Sequence, residues 1–395
     1  MTLRGVVRTL ANVCAAAFAA FVFALALWTI VPAPVLPLLA FAVIVPELAA
    51  WVLGLAAFAG LAALAFARGR ARVAALALAG LAAACALVPL VEYPVAGANA
   101  ERELDAQLGP PATRDAASRP GAVRVDRDLP VVTRDGTRLG LDLYRSDRGG
   151  ARPTIVTIYG GAWIFGDRRQ MERVDRHYAS LGYTAIAVDY RHAPASRFPT
   201  QIHDVRDALA TIAAHARAWN VDPRNCALLG RSAGAELALL AAYAPEPLTV
   251  RAALGYYAPS DLRRGYAEPP FPDPAGIRTI LRTYIGATPE HDRTAYAAAS
   301  PVDLVRPGLP PTFLIGGQRD ELVAIGFQRE LRDALRARGD RVVSIELPWS
   351  NHAFDTVPGL GESIATPAAD RFLTFALRTN ATEADVTGRR VRSRG

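Results

Sequence analysis

Asn225-Cys226-Ala227-Leu228-Leu229-Gly230-Arg231-Ser232-Ala233-Gly234 decides how this chain is read. The first five residues are mostly apolar and short, as expected of a strand buried on both faces. The Ala- and Leu-rich run from 233 to 243 predicts a helix. Between them stands G-x-S-x-G. At a strand-to-helix turn the serine needs a tight bend to stand above the sheet, and glycine at either end lets strand and helix approach. The start of the helix also favours negative charge beside Ser232. A glycine-rich packing turn would explain the pentapeptide alone. The strand before it and the helix after it favour a nucleophile.

Outward from this turn the pattern is regular. Residues 129–134 and 137–145 predict a hairpin closed by Asp135-Gly136. Further strands are predicted at 154–159, 183–190, 252–257, 312–316 and 341–347, and helices at 201–219, 321–337 and 368–378. Eight strands, the first pair antiparallel and the rest alternating with helices, predict a doubly wound α/β fold with a mostly parallel sheet. Ligands in such sheets bind beyond the carboxyl ends of the strands, so the residues that follow each strand matter most.

After the strand at 154–159 comes Gly160-Gly161-Ala162-Trp163. Small residues there let backbone N–H groups face a cavity, which reads as half of an oxyanion hole. After 312–316 comes Gly317-Gln318-Arg319-Asp320. Helix capping by Asp320 is the plain alternative to catalysis, and the two need not exclude each other. After 341–347 comes Asn351-His352-Ala353-Phe354. Of the six histidines, His177, His203 and His215 fall on predicted helices, His192 in a loop and His291 in a polar insertion. His352 alone lies past a strand end and C-terminal to both Ser232 and Asp320. The order Ser, Asp, His, each after its own strand, is that of one known triad arrangement.

Residues 126–380 resemble the α/β-hydrolase superfamily, specifically its esterase/lipase group related to hormone-sensitive lipase and to bacterial feruloyl-esterase-like hydrolases. The resemblance is carried by Tyr159-Gly160-Gly161-Ala162-Trp163, Asp189-Tyr190-Arg191-His192-Ala193-Pro194 with Phe198-Pro199, the serine pentapeptide, the Asp320 turn and Asn351-His352-Ala353-Phe354. It implies Ser232 as nucleophile, His352 as base and Asp320 as its orienter. It also implies oxyanion donors from the N–H groups of Gly161, Ala162 and Ala233. The chain departs from the family pattern at Tyr159, where histidine is usual, and at Ala162, where glycine is usual. Asp189 and Arg191 read as residues that fix a loop. The stretch 261–300 interrupts the alternation and reads as a cap over the acyl pocket, with Trp163, Phe271 and Tyr284 as candidate substrate-binding residues.

The first 98 residues are of another kind. They hold five arginines (Arg4, Arg8, Arg68, Arg70, Arg72) and two acids (Glu47, Glu92). Apolar runs of this length predict three transmembrane spans at about 8–31, 47–67 and 73–92, with 32–46 interfacial or re-entrant. A cleaved signal peptide is disfavoured, because no small-residue cleavage site follows promptly and two more apolar runs do. Arg4, Arg8 and the 68–72 cluster mark cytoplasmic ends. This predicts a multi-pass protein of the cytoplasmic membrane with its catalytic domain outside. Residues 99–125 read as a linker, partly helical around Glu101–Leu108, with 126–380 as the catalytic domain and 381–395 as a basic disordered tail.

The remaining 297 residues carry 39 basic and 35 acidic groups, a field too weak to suggest a nucleic-acid partner. All 44 basic residues are arginine, a compositional bias rather than a functional signal. Three scattered cysteines give no zinc-site spacing, and neither metal nor organic cofactor is expected. The expected activity is a membrane-anchored serine hydrolase acting on a small-molecule or lipid ester. An envelope acyltransferase or peptidase would use the same triad. A non-catalytic membrane module is the rival from another class.

Overall fold

The computed structural model describes residues 2–111, 121–146 and 150–377. The chain begins with α1 (Leu3–Ala26), continued by a 3-10 turn (Leu27–Thr29), then α2 (Leu36–Glu47), α3 (Ala49–Phe66) and α4 (Gly69–Leu108). Among the described residues, three helices are long and apolar enough to cross a membrane: Leu3–Thr29, Ala49–Phe66 and Gly69–Leu108. They pack through small residues, with Ala19, Ala26, Ala56, Ala59, Ala63, Ala75, Ala82 and Ala86 buried between them. Large side chains such as Phe21, Trp51, Phe58 and Leu61 point outward. Small residues inside and large apolar ones outside is a lipid-facing pattern.

Two stretches gain detail here. The stretch 32–46, expected to be interfacial or re-entrant, carries the helix α2 from Leu36 onward. The helix expected within the linker at 101–108 is there, and residues 99–108 continue α4 without a break. The change to charged residues at Glu101 marks where α4 leaves one partner for another. Leu104 is buried in the core of the catalytic domain. Glu103 pairs with Arg336 at 2.5 Å, and Arg371 pairs with Glu101 at 2.8 Å and also with Asp105.

The second part contains β1 (Val123–Val132), β2 (Arg138–Ser146), β3 (Arg152–Ile158), α5 (Glu172–Ser180), β4 (Thr184–Val188), α6 (Thr200–Ala214), β5 (Val221–Arg231), α7 (Ala233–Ala242) and β6 (Val250–Tyr256). Three short helices follow, α8 (Leu262–Ala267), α9 (Ile277–Ile285) and α10 (Arg293–Ala298). The chain then forms β7 (Thr312–Gly317), α11 (Ile325–Ala337), β8 (Val342–Leu347) and α12 (Leu360–Ala376). The eight strands lie in the order β1-β2-β4-β3-β5-β6-β7-β8. β1–β2 and β2–β4 are antiparallel, and every other pairing is parallel. This is the α/β-hydrolase architecture of an eight-stranded, mostly parallel sheet with flanking helices.

β1 begins six residues before its expected start. A register shift between Asp126 and Leu129, where Asp128 takes φ +56°, breaks the alternation on which the sequence reading relied. α12 begins eight residues early and runs through Pro367, a residue that normally ends a helix. The predicted tail at 381–395 lies outside the described residues. The parallel order puts the carboxyl ends of β3, β5, β7 and β8 along one rim, and all the predicted site loops leave from it.

Candidate active site

Ser232 follows β5 directly and adopts φ +53°, ψ −123°, with α7 starting one residue later. Such a backbone is strained for a side-chain-bearing residue and is held by its surroundings. The Ser232 N–H donates to the carbonyl of Tyr256 at 3.0 Å. A Cβ on Gly230 would stand 2.1 Å from the Gly234 carbonyl oxygen, and one on Gly234 would stand 2.2 Å from those of Ile158 and Tyr159. Both glycines are therefore required by close backbone approach.

His352 and Asp320 arrive from the ends of β8 and β7. His352 Nε2 lies 2.9 Å from Ser232 Oγ, and His352 Nδ1 lies 2.8 Å from Asp320 Oδ2. The other oxygen of Asp320 accepts from the N–H groups of Leu322 at 2.8 Å and Val323 at 2.7 Å. Asp320 thus fixes its own turn and pairs with the imidazole at once. It is not the cap of α11, which begins only at Ile325. One edge of His352 is covered by Tyr257, whose ring centroid is 4.6 Å away and whose hydroxyl donates to Asp355 at 2.8 Å. Asp355 also pairs with Arg231, next to Ser232, so the serine turn and the histidine loop are tied together from behind.

The Gly160–Trp163 turn lies against Ser232. A Cβ on Gly160 would come 3.1 Å from Ser232 Cβ. Gly161 takes φ +129° and Ala162 φ +53°. Among the described residues, the N–H groups of Gly161, Ala162 and Ala233 have no protein acceptor. Tyr159 supports this turn. Its ring stacks on Tyr190 at 4.4 Å, its hydroxyl donates to the Tyr190 carbonyl at 3.1 Å, and Tyr190 donates back to the Tyr159 carbonyl at 3.1 Å. Asp189 and Arg191 hold loops, through Arg168 and through Asp204 at 2.7 Å respectively.

An apolar cavity of about 70 Å³ opens at Ser232, lined among others by Trp163, Leu262, Ile280, Leu281, Leu322 and Phe327. α8 and α9 supply much of its wall, so the 261–300 stretch does cover the site. Two expectations about its lining need correction. Phe271 is fully exposed and is not in the cavity wall. Tyr284 is fully buried behind Trp163, stacked on it at 4.1 Å, instead of facing the cavity.

Glu236 escaped the sequence reading. It is completely buried, and burial pushes its carboxyl well above the usual carboxylate range. Trp163 Nε1 donates to it at 3.1 Å and the Tyr284 hydroxyl at 3.2 Å. The signal was a lone acid in a helix otherwise made of Ala, Gly and Leu. Glu236→Ala should leave both donors unpaired, at about 1–3 kcal/mol each. Glu236→Gln should be far milder, since its oxygen can accept from the indole and its amide can donate to the phenol. Thermal melting of both variants checks this, and equal losses would dismiss the hydrogen-bond account.

A family model, BD-FAE, matches residues 141–335. "Probable carboxylic ester hydrolase LipM" of Mycobacterium tuberculosis is 31% identical over 333 residues, covering 74% of this chain and 77% of the relative. "Esterase LipQ" of the same organism is 30% identical over 249 residues, covering 59% of this chain and 58% of the relative. Among solved structures, an esterase of Pyrobaculum calidifontis superposes with TM-score 0.55 at 23% identity, covering 73% of this chain and 94% of its own. A bacterial heroin esterase gives TM-score 0.57 at 24% identity, over 73% and 93%. These two likenesses concern the fold, whereas the sequence relationship to the mycobacterial relative reaches into the chain before the catalytic domain. With that relationship and the site geometry together, the chain belongs to the BD-FAE family of α/β-hydrolase esterases.

Proposed function

We propose that this carboxylic ester hydrolase works as a membrane-anchored serine esterase with Ser232, His352 and Asp320 as its triad. The observation that carries the proposal is the unbroken chain of contacts, 2.9 Å from Ser232 Oγ to His352 Nε2 and 2.8 Å from His352 Nδ1 to Asp320. Asp320 holds the imidazole with Nδ1 protonated, which leaves Nε2 free to take the serine proton. Ser232 Oγ attacks the ester carbonyl, and its proton passes to His352. The N–H groups of Gly161, Ala162 and Ala233 receive the oxyanion. The tetrahedral adduct collapses, and the alcohol leaves with the proton from His352. Water, deprotonated by the same imidazole, then releases the acid and frees Ser232. The apolar cavity suits the acyl part of the ester and excludes charged acids. Its place in a membrane-anchored chain makes lipid esters, as well as small soluble ones, accessible substrates. A fluorophosphonate probe tests the reading, since it labels only an activated serine. The label should map to Ser232.

The catalytic domain is proposed to lie outside the cytoplasmic membrane. The support is an odd number of spans with Arg4, Arg8 and the Arg68–Arg72 cluster at the cytoplasmic ends. Alkaline phosphatase fused after Gly395 should be active, and protease added to sealed cells should cut the 109–122 stretch. An inactive fusion with a protected stretch would put catalysis in the cytoplasm.

A further inference from the structure

We propose that the short helix α2 is part of the active site as well as of the membrane region, and that Glu47 at its end is a positioning residue for the loop carrying His352. The inference rests on the triad reading above.

Glu47 is buried at 3% exposure, and its carboxylate binds the catalytic domain. Oε1 accepts from Ser350 Oγ at 2.6 Å, and Oε2 accepts from the Gly361 N–H at 2.6 Å. Tyr93, on α4, donates to Ser350 Oγ at 2.5 Å. Ser350 is itself fully buried and precedes His352 by two residues. The seat is shaped for this side chain. A Cβ on Gly359 would come 2.6 Å from Glu47 Cβ, and one on Gly361 would come 3.0 Å from its Oε1. A buried carboxyl is tolerated only where donors meet it, and those that meet Glu47 come from the histidine loop, the start of α12 and α4.

The other triad loop is held by the same segment. The Ala33 N–H donates to Glu321 Oε2 at 2.7 Å. Asn351 Nδ2 donates to Glu321 Oε1 at 2.6 Å, while Asn351 Oδ1 accepts from the N–H groups of His352 at 2.7 Å and Glu321 at 3.0 Å. Leu322, in the wall of the cavity, packs against Ala33, Leu39, Ala42 and Val43. Residues 33–47 therefore hold the Asp320 turn and the His352 turn in one frame. Without Glu47, Ser350 and Gly361 lose their acceptor, and the loop that sets His352 against Ser232 is free to shift.

The test uses the full chain in detergent micelles. Wild type, Glu47→Ala, Ser350→Ala and the double variant are assayed on a soluble short-chain ester, with active sites counted by fluorophosphonate titration. Displacing a reacting group by about 1 Å can lower rates 10²-fold. kcat per titrated site should therefore fall about 10- to 100-fold in each single variant, with KM changed less than about threefold. The double variant should be little worse than either single one, because both remove the same link. Glu47→Gln, which keeps one acceptor oxygen, should recover part of the loss. A purely structural role would lower the number of titratable sites and leave kcat per site at wild-type level, and that result overturns the proposal. Ser232→Ala run in parallel separates the two readings. If it keeps turnover, the triad assignment fails. If it is inactive while the Glu47 variants turn over normally, only the positioning role fails.

Discussion

Ser232→Ala is expected to remove essentially all ester turnover, about 10⁶-fold in kcat, and all fluorophosphonate labelling. The nucleophile expected to lose its proton to His352 is Ser232, whose Oγ lies 2.9 Å from Nε2. Members of such a unit are not additive, so His352→Ala should lose nearly as much, and the double variant little more. The fold should survive, because removing one hydroxyl leaves the Ser232 N–H bond to Tyr256 and the strained turn in place. Thermal melting within a few degrees of wild type, together with lost turnover, is the expected pair of results. A folded Ser232→Ala enzyme with near-normal turnover would show that the chemistry lies elsewhere.

The second large effect is expected at Gly161. Its φ of +129° belongs to glycine, and a Cβ there would come 1.9 Å from the Phe165 carbonyl oxygen. Gly161→Ala keeps the amide hydrogen but cannot keep its position, so the turn must move and carry the donors of Gly161 and Ala162 away from the oxyanion. Loss of one such donor costs about 10²–10³ in kcat, or about 3–4 kcal/mol. KM should change little, since the cavity wall is built mainly from α8, α9 and the residues after β7. Gly161→Ala is preferable to a proline, whose fixed negative φ cannot be accommodated at this residue. Full kcat in a folded Gly161→Ala protein would remove Gly161 from the oxyanion site.

The proposed triad residues each carry a local signal in the sequence. Ser232 has its two glycines, and Asp320 and His352 each follow a short β-rich run. Chain order then joins them without any knowledge of distance. Phe271 and Tyr284 were harder, since both are aromatic residues in one irregular stretch. Which of them turns inward depends on how α9 packs, and composition does not encode that. Glu236 was visible as an acid among alanines, but its partners Trp163 and Tyr284 lie 73 and 48 residues away. Glu47 shows in the sequence only as one of two acids among the first 98 residues. Its meaning comes from Ser350 and Gly361, about three hundred residues later. Residues 99–108 read as a linker because hydropathy changes there. The hydrogen bonds of a helix do not register that its surroundings have passed from apolar to polar.

The 40 residues of α4 rise about 60 Å, roughly twice the thickness of a hydrocarbon core. Half of that length would suffice to span, and the rest packs against the catalytic domain through Leu104, Glu103 and Glu101. An enzyme on a slack tether sweeps a hemisphere and can meet substrates far from its root. Under the proposed anchoring, one mounted on a continuous stalk would work at a single height, and its search would be a walk in two dimensions. Its rate then depends on how densely esters populate that thin layer, so bulk concentration is the wrong variable for describing what it sees.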